Sequence, residues 1–225
     1  HTTVVVLGRK GGYRAYMSRL LGPSCRLCRR EGIKLYLKGT RCFSAKCPVT
    51  KRKTAPGMHF WRGGKKMSKY GVQFREKQRI KRFYGILEGP FLRQFHEAER
   101  RKGHTGENLL ILLEERLDNV AYLLGYAASR KQARQLIHHG HIVVSGKRVD
   151  VPSYLVKVGD IIIPYQHPRS QELIKTNLAS YATRFNSAWL ELDKDTPQAK
   201  VLRFPTREET SSPVQEQLVV ELCSR

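Results

Sequence analysis

Residues 128–164, ASRKQARQLIHHGHIVVSGKRVDVPSYLVKVGDIIIP, leave the chain few ways to fold. Ser129 followed three residues later by Gln132 is a capping-box pattern, which starts a helix by answering its unpaired N–H groups. The spacing predicts a helix from Arg130 to about His139, with Gly140 supplying a left-handed stop. Ala133, Leu136 and Ile137 share a face and pack inward, leaving Arg130, Lys131, Arg134 and Gln135 largely outside. HIVV, the turn SGK and RVDV read as a short β-hairpin, and IIIP after the turn KVGD as a closing strand. The product is a compact α/β unit between Arg116 and Tyr165.

That unit has a clear chemistry. Helix N–H groups beside Arg130 and Lys131 suit a backbone phosphate. Lys147 and Arg148 follow on the hairpin. A helix followed by a basic hairpin can grip a structured RNA by shape and phosphate contact. His138, His139 and His141 invite a metal reading. Their place where a helix ends and a strand starts favours RNA or the helix dipole as their neighbour.

Charge extends the argument to the whole chain. Its 225 residues carry 42 Lys+Arg against 19 Asp+Glu, a formal net charge of +23. Such an excess self-repels unless a polyanion neutralises it, nucleic acid first and an anionic membrane second. No apolar run approaches the roughly 18 residues of a membrane span, so no membrane partner is expected. Residues 1–66 hold 17 Lys+Arg and one acid, Glu31; residues 67–180 hold 19 and 11; residues 181–225 hold 6 and 7. The first third can meet a polyanion, while the nearly neutral end can pack. From Tyr70 to Phe95 the apolar spacing predicts two helices split at Gly89-Pro90, the first presenting Arg75, Lys77, Arg79, Lys81 and Arg82 to phosphate. Leu109, Leu113, Leu117, Val120 and Leu124 predict one amphipathic helix within residues 106–125.

Four of the five cysteines lie in the basic region as Cys25, Cys28, Cys42 and Cys47: C-x2-C, thirteen residues, then C-x4-C. Two close pairs joined by a loop suit one structural, tetrahedral Zn2+. Disulfides within the pairs, unbound thiols and an iron–sulfur cluster are the rival readings. An odd cysteine count favours a reducing compartment. Arg26, Arg29, Arg30, Arg41 and Lys46 can offset the negative charge of four thiolates and are expected to lower the thiol pKa values. Cys223 reads as an ordinary thiol.

The run RLDNVAYLLGYAASRKQARQLIHHGHIVVSGKRVDVPSYLVKVGDII resembles the RNA-binding module named after the fourth protein of the small ribosomal subunit. Similar modules occur in pseudouridine synthases and tyrosyl-tRNA synthetases. The flanks decide between them. CRLCRREG, PGMH, YGVQFREKQRIKRFYGILE, VLRFPTREE and PVQEQLVVELCSR resemble the bacterial-type ribosomal family itself, over nearly all of residues 17–225. Met58-His59-Phe60 departs from that family's Gln-His-Gly, and Cys223 stands where an aromatic is usual.

The resemblance implies an α+β fold: a mainly helical N-terminal domain with a zinc-bound knuckle, and an inserted small α/β RNA-binding module. The expected partition is an extension of unknown status at residues 1–16, a basic N-terminal domain at 17–114, the module at 115–178, and a C-terminal segment at 179–225 packing back on the N-terminal domain. Expected RNA contacts outside the module are Arg26, Arg29, Arg30, Lys51, Arg52, Lys53, Arg79, Lys81 and Arg82. Within it they are Arg116, Ser129, Arg130, Lys131, Gln132, Arg134, His138, Lys147 and Arg148.

As function, the resemblance implies a structural protein of the small ribosomal subunit, not an enzyme. It implies binding to small-subunit rRNA where several helices join, early assembly of the subunit body, and a part in decoding accuracy. The fifth and third small-subunit proteins and mRNA at its entrance are the implied neighbours. The location is a bacterial cytoplasm, plastid or mitochondrion. Two rivals stay in view. An RNA-modifying enzyme would need a catalytic domain that the basic loop, basic helices and short tail do not supply, and RGGKK lacks the P-loop spacing. A free regulatory binder, for example of its own mRNA, would share the same module.

Overall fold

A computed structural model of the chain describes residues 22–52, 54–58, 67–181, 187–193, 196–210 and 212–224. The extension at residues 1–16, Lys53 and His59 lie outside them. Three short helices come first: α1 (Ser24–Glu31), α2 (Thr40–Phe43) and α3 (Pro48–Lys51). Next come α4 (Lys69–Tyr84), α5 (Glu88–Arg100) and α6 (Thr105–Glu114). Then follow α7 (Leu117–Leu123), α8 (Arg130–His138), β1 (Ile142–Val144), β2 (Lys147–Arg148), β3 (Ile161–Pro164) and α9 (Pro168–Tyr181). The chain ends with β4 (Leu190–Leu192), β5 (Ala199–Val201), a 3-10 turn (Arg207–Glu209) and α10 (Glu216–Cys223). Among the described residues no helix is long and apolar enough to cross a membrane.

These elements form two apolar cores. The first buries Leu35, Ile80, Phe83, Phe91, Phe95, Leu109, Leu113 and, from the far end of the chain, Val214 and Val219. Ser68 starts α4 by accepting the Gly71 N–H at 3.2 Å, and Gly85 stops it at φ 69°. The break between α4 and α5 therefore falls at Gly85, not at Gly89-Pro90. Pro90 sits in the first turn of α5, where a missing N–H leaves no hydrogen bond unmade.

The second core gathers α7, α8, α9 and the sheet. The strand order is β2-β1-β3-β5-β4, with every neighbouring pair antiparallel. Val143 stands opposite Arg148 on one side and Ile163 on the other, and Val144 opposite Lys147, the register a two-residue turn imposes on the hairpin. Ser145 and Gly146 turn it at φ 46° and 80°, the left-handed pair of a tight hairpin turn.

Two expectations change here. The leucine stripe does not lie on one helix. Arg116 is extended (φ −65°, ψ 133°) because its neighbours pair with another segment: the Leu117 N–H donates to the Tyr154 carbonyl at 2.8 Å, and the Val156 N–H to the Glu115 carbonyl at 2.9 Å. Leu109 and Leu113 thus enter the first core, and Leu117, Val120 and Leu124 the second. The segment 179–225 also divides. β4 and β5 extend the module's sheet, and Trp189, 1% exposed, fills its core. Residues from Val214 onward return to the N-terminal helices, with α10 lying on α4 and α6.

Candidate nucleic-acid interface

Arg130 opens α8, and the sequence alone turns it outward. In the fold it is 7% exposed and stands between the two cores. Its guanidinium carbon lies 4.0 Å from the ring centre of Phe83, 4.5 Å from Tyr122 and 5.4 Å from Tyr84. Three ring faces supply the negative potential that makes a desolvated guanidinium tolerable there. Its Nε donates to Asn119 Oδ1 at 2.8 Å. Asn119 donates in turn to the Glu114 carbonyl at 3.2 Å and to the Glu114 carboxylate, which accepts the Tyr84 hydroxyl at 2.7 Å. Burial, then the Glu114 charge, push the Tyr84 phenol well above its usual range. Arg130 is therefore the key of a buried polar chain joining the two domains.

Arg116 is likewise interior, at 2% exposure. Its Nε and Nη2 donate to Asp118 at 3.1 and 2.7 Å. The same carboxylate accepts Arg134 Nη1 at 3.3 Å, leaving Arg134 half-buried at the surface. Both arginines spend their donors inside the protein, whereas the sequence alone places them toward RNA.

Ser129 and Gln132 serve the helix start. Ser129 Oγ accepts the Gln132 N–H at 3.4 Å, and Gln132 Oε1 reaches back past the cap to the Ala128 N–H at 2.8 Å. Lys131 crosses to the first domain and donates to Ser24 Oγ at 2.7 Å. Arg148 closes the other end of α8, donating to the carbonyls of Gly140 and His139 at 2.9 and 3.1 Å. Lys147 and His138 are exposed. The His138 and His139 rings lie 6.3 Å apart, and the His139 and His141 rings 6.0 Å apart. Burial and the nearby charges of His139, Arg148 and His167 hold His141 below its ordinary pKa.

On the first domain the basic face of α4 is largely answered by carboxylates. Arg79 pairs with Glu76, Lys81 with Glu88, and Lys77 with Glu88 at 2.6 Å. Arg82 and Arg75 both pair with Glu31, the latter at 3.3 Å. Glu31 is the one acid of residues 1–66, and burial raises its pKa against the pull of those arginines. The knuckle differs. Arg26, Arg29, Arg41, Lys46, Lys51 and Arg52 line one concavity of about 480 Å3, and no carboxylate lines it among the described residues. Arg29 donates to the carbonyls of Thr54 and Ala55, both at 3.1 Å, which braces one wall. Arg30 is exposed at the last turn of α1. Arg41 and Lys46 were not among the expected contacts. Their signal was their place beside Cys42 and Cys47, where the sequence reading credited them only with offsetting thiolate charge.

Cys28, Cys42 and Cys47 are buried and Cys25 half-buried, and all are unpaired with one another by disulfide. Each buried sulfur faces peptide N–H groups: Leu35 at Cys28, Lys38 at Cys42 (3.3 Å), and Val49 and Thr50 at Cys47. Burial raises Cys28 and Cys42, at Cys42 against the pull of Lys34, so the net shift is upward and not the lowering expected from the neighbouring cations. At Cys47 burial also raises the pKa, but the N–H donors and Lys34 outweigh it and the net shift is down. Four sulfur donors, three of them with N–H partners, suit a soft tetrahedral cation in kind. Among the described residues no group of three or more His, Cys, Asp or Glu is placed to hold a metal ion.

Comparison with known proteins agrees with this layout. Residues 19–114 match the model of the ribosomal protein S4/S9 N-terminal domain, and residues 115–162 that of the S4 domain. The small ribosomal subunit protein uS4 of Thermoanaerobacter sp. (strain X514) is 57% identical over 209 residues, 93% of this chain and all of the relative. Those of Pelotomaculum thermopropionicum and Thermus thermophilus are 54% and 52% identical over the same coverage. Two family models across both cores, and full-length relatives at these identities, establish that the chain belongs to the ribosomal protein uS4 family.

Proposed function

We propose that the chain is a structural, non-catalytic protein of the small ribosomal subunit that binds small-subunit rRNA directly. The observation that carries this reading is the knuckle concavity, where six cations meet with no acid among the described residues. Phosphate backbone is the counterion that shape and charge call for. The relatives' shared name, small ribosomal subunit protein, supports the same reading. In it, the protein joins the subunit body early and lies near the mRNA entrance. The fifth and third small-subunit proteins are its neighbours, and it contributes to decoding accuracy in a bacterial or bacterial-type organellar ribosome.

Sedimentation tests the core of the proposal. The tagged chain, expressed in a bacterium, travels with the small subunit through a sucrose gradient and leaves it as salt rises. A chain that stays at the top at low salt sinks the reading. A purified chain that isomerises uridine in rRNA transcripts would replace it with the enzyme reading.

The same proposal assigns Cys25, Cys28, Cys42 and Cys47 one structural Zn2+. Their donor chemistry supports it. A bound zinc would tie α1 to the loop carrying α2 and α3. Elemental analysis of reduced, purified protein then finds one zinc per chain, and Cys25→Ser with Cys28→Ser abolishes it; metal-free wild type removes the assignment.

A further inference from the structure

Between the two domains runs a second, smaller cleft of about 230 Å3, separate from the knuckle concavity. Cavities of about 150 Å3 accept benzene, so this one has room for a planar heterocycle. One wall is apolar: Leu27, Tyr36 and Leu37. Arg82, Lys131 and Arg134 also line the cleft, with one carboxylate, Asp118, which Arg134 and Arg116 share. The base is the Arg130 box, with Phe83 and Tyr84. Aromatic rings with four cations against one carboxylate are what a single nucleotide needs, a surface to stack the base and net positive charge for its phosphate.

Tyr36 singles out this cleft. It is one of two non-glycine residues with positive φ among the described residues, at 51°. Tyrosine takes that conformation at a cost, and it persists only where the surroundings fix it. Here Leu35 and Leu37, both buried, anchor the backbone on either side. Tyr36 itself is half-buried; its ring rests against Phe43 at 5.0 Å between centres and lines the cleft. A glycine would relieve the strain but could not present a ring.

We infer that this cleft receives one extrahelical nucleotide of the bound RNA, its base stacked on Tyr36 and its phosphate shared by Arg82, Lys131 and Arg134 with the groups they already hold, Glu31, Ser24 and Asp118. The inference rests on the rRNA-binding reading above and adds a base-stacking anchor to it. A free mononucleotide offers the same base and phosphate, so the test must separate the two sources.

The experiment uses the full chain and small-subunit rRNA, comparing wild type with Tyr36→Phe and Tyr36→Gly by filter binding, base-resolved chemical probing and urea denaturation. Tyr36→Phe keeps affinity within about twofold. Tyr36→Gly loses about five- to 150-fold, the range for one base stack, and exposes one nucleotide while the rest of the footprint persists. A Tyr36→Gly chain that binds within twofold of wild type with an unchanged footprint overturns the cleft assignment alone. So does a loss spread evenly over the footprint in step with a fall in the urea midpoint, which marks a folding role. Wild type that leaves the rRNA unbound overturns both readings. Titration with AMP and UMP completes the test: no saturation below millimolar supports the RNA source, and micromolar binding of either overturns it.

Discussion

Burial sorts the arginines into those that hold the protein and those that can meet a partner. In sequence, Arg130 and Lys131 look alike, two cations opening a helix. Three rings from two stretches of chain converge on one of them, and no local spacing records that meeting. Four of the six knuckle cations, Arg26, Arg29, Lys51 and Arg52, were legible because the only acid in the first 66 residues is Glu31, and α4 consumes it. Arg130→Met is expected to lower stability by at least about 2 kcal/mol, from the lost desolvated cation–π contact and an orphaned Asn119 acceptor; urea titration measures it. Lys147→Ala, exposed on β2, changes stability by less than about 0.5 kcal/mol, yet flattens the salt dependence of rRNA affinity by about one in log–log slope. Acid acts at His141, whose pKa is held below 6.5 by burial and by His139, Arg148 and His167. The folded state therefore binds fewer protons than the unfolded one. Its stabilising effect is complete above about pH 6.5 and fades as pH falls through the folded value. Wild type loses more stability between about pH 7 and pH 5 than His141→Gln, as urea midpoints at the two ends will show.

Secondary structure was readable where side chains repeat and obscure where tertiary pairing overrides the repeat. The Ser129 cap, the α8 helix and the Ser145-Gly146 hairpin all follow from local chemistry. The helix boundary at Glu115-Arg116 does not, because the pairing that pulls the backbone out comes from residues 154–156. β4 and β5 were missed for another reason. Each is three residues long, too short for alternation to register, and near-neutral charge says only that a segment can pack, not on what. Trp189, beside β4, gives the test. Trp189→Ala is expected to cost about 3–5 kcal/mol, measured by denaturant unfolding, because the side chain fills the module's core.

As a whole molecule, the protein is two cores locked by a small seam. Gly39 marks one contact: at φ 58° a Cβ there would stand 2.8 Å from the Ala128 carbonyl oxygen, across the domain boundary. Gly39→Ala is expected to cost about 1–3 kcal/mol and to speed amide exchange on both sides of the seam, near Cys42 and Ser129. A chain whose exchange is unchanged at those sites would place the domains' coupling elsewhere, in the Arg130 box alone. The path of the chain through these cores also sets an order in time. The first core holds Leu35 and Ile80 from early in the chain together with Val214 and Val219 from its end. The second is complete once Val201 has been added. During synthesis the middle of the protein can therefore finish folding while the beginning waits, its helices short of their last apolar partners. The domain translated first is the one that closes last.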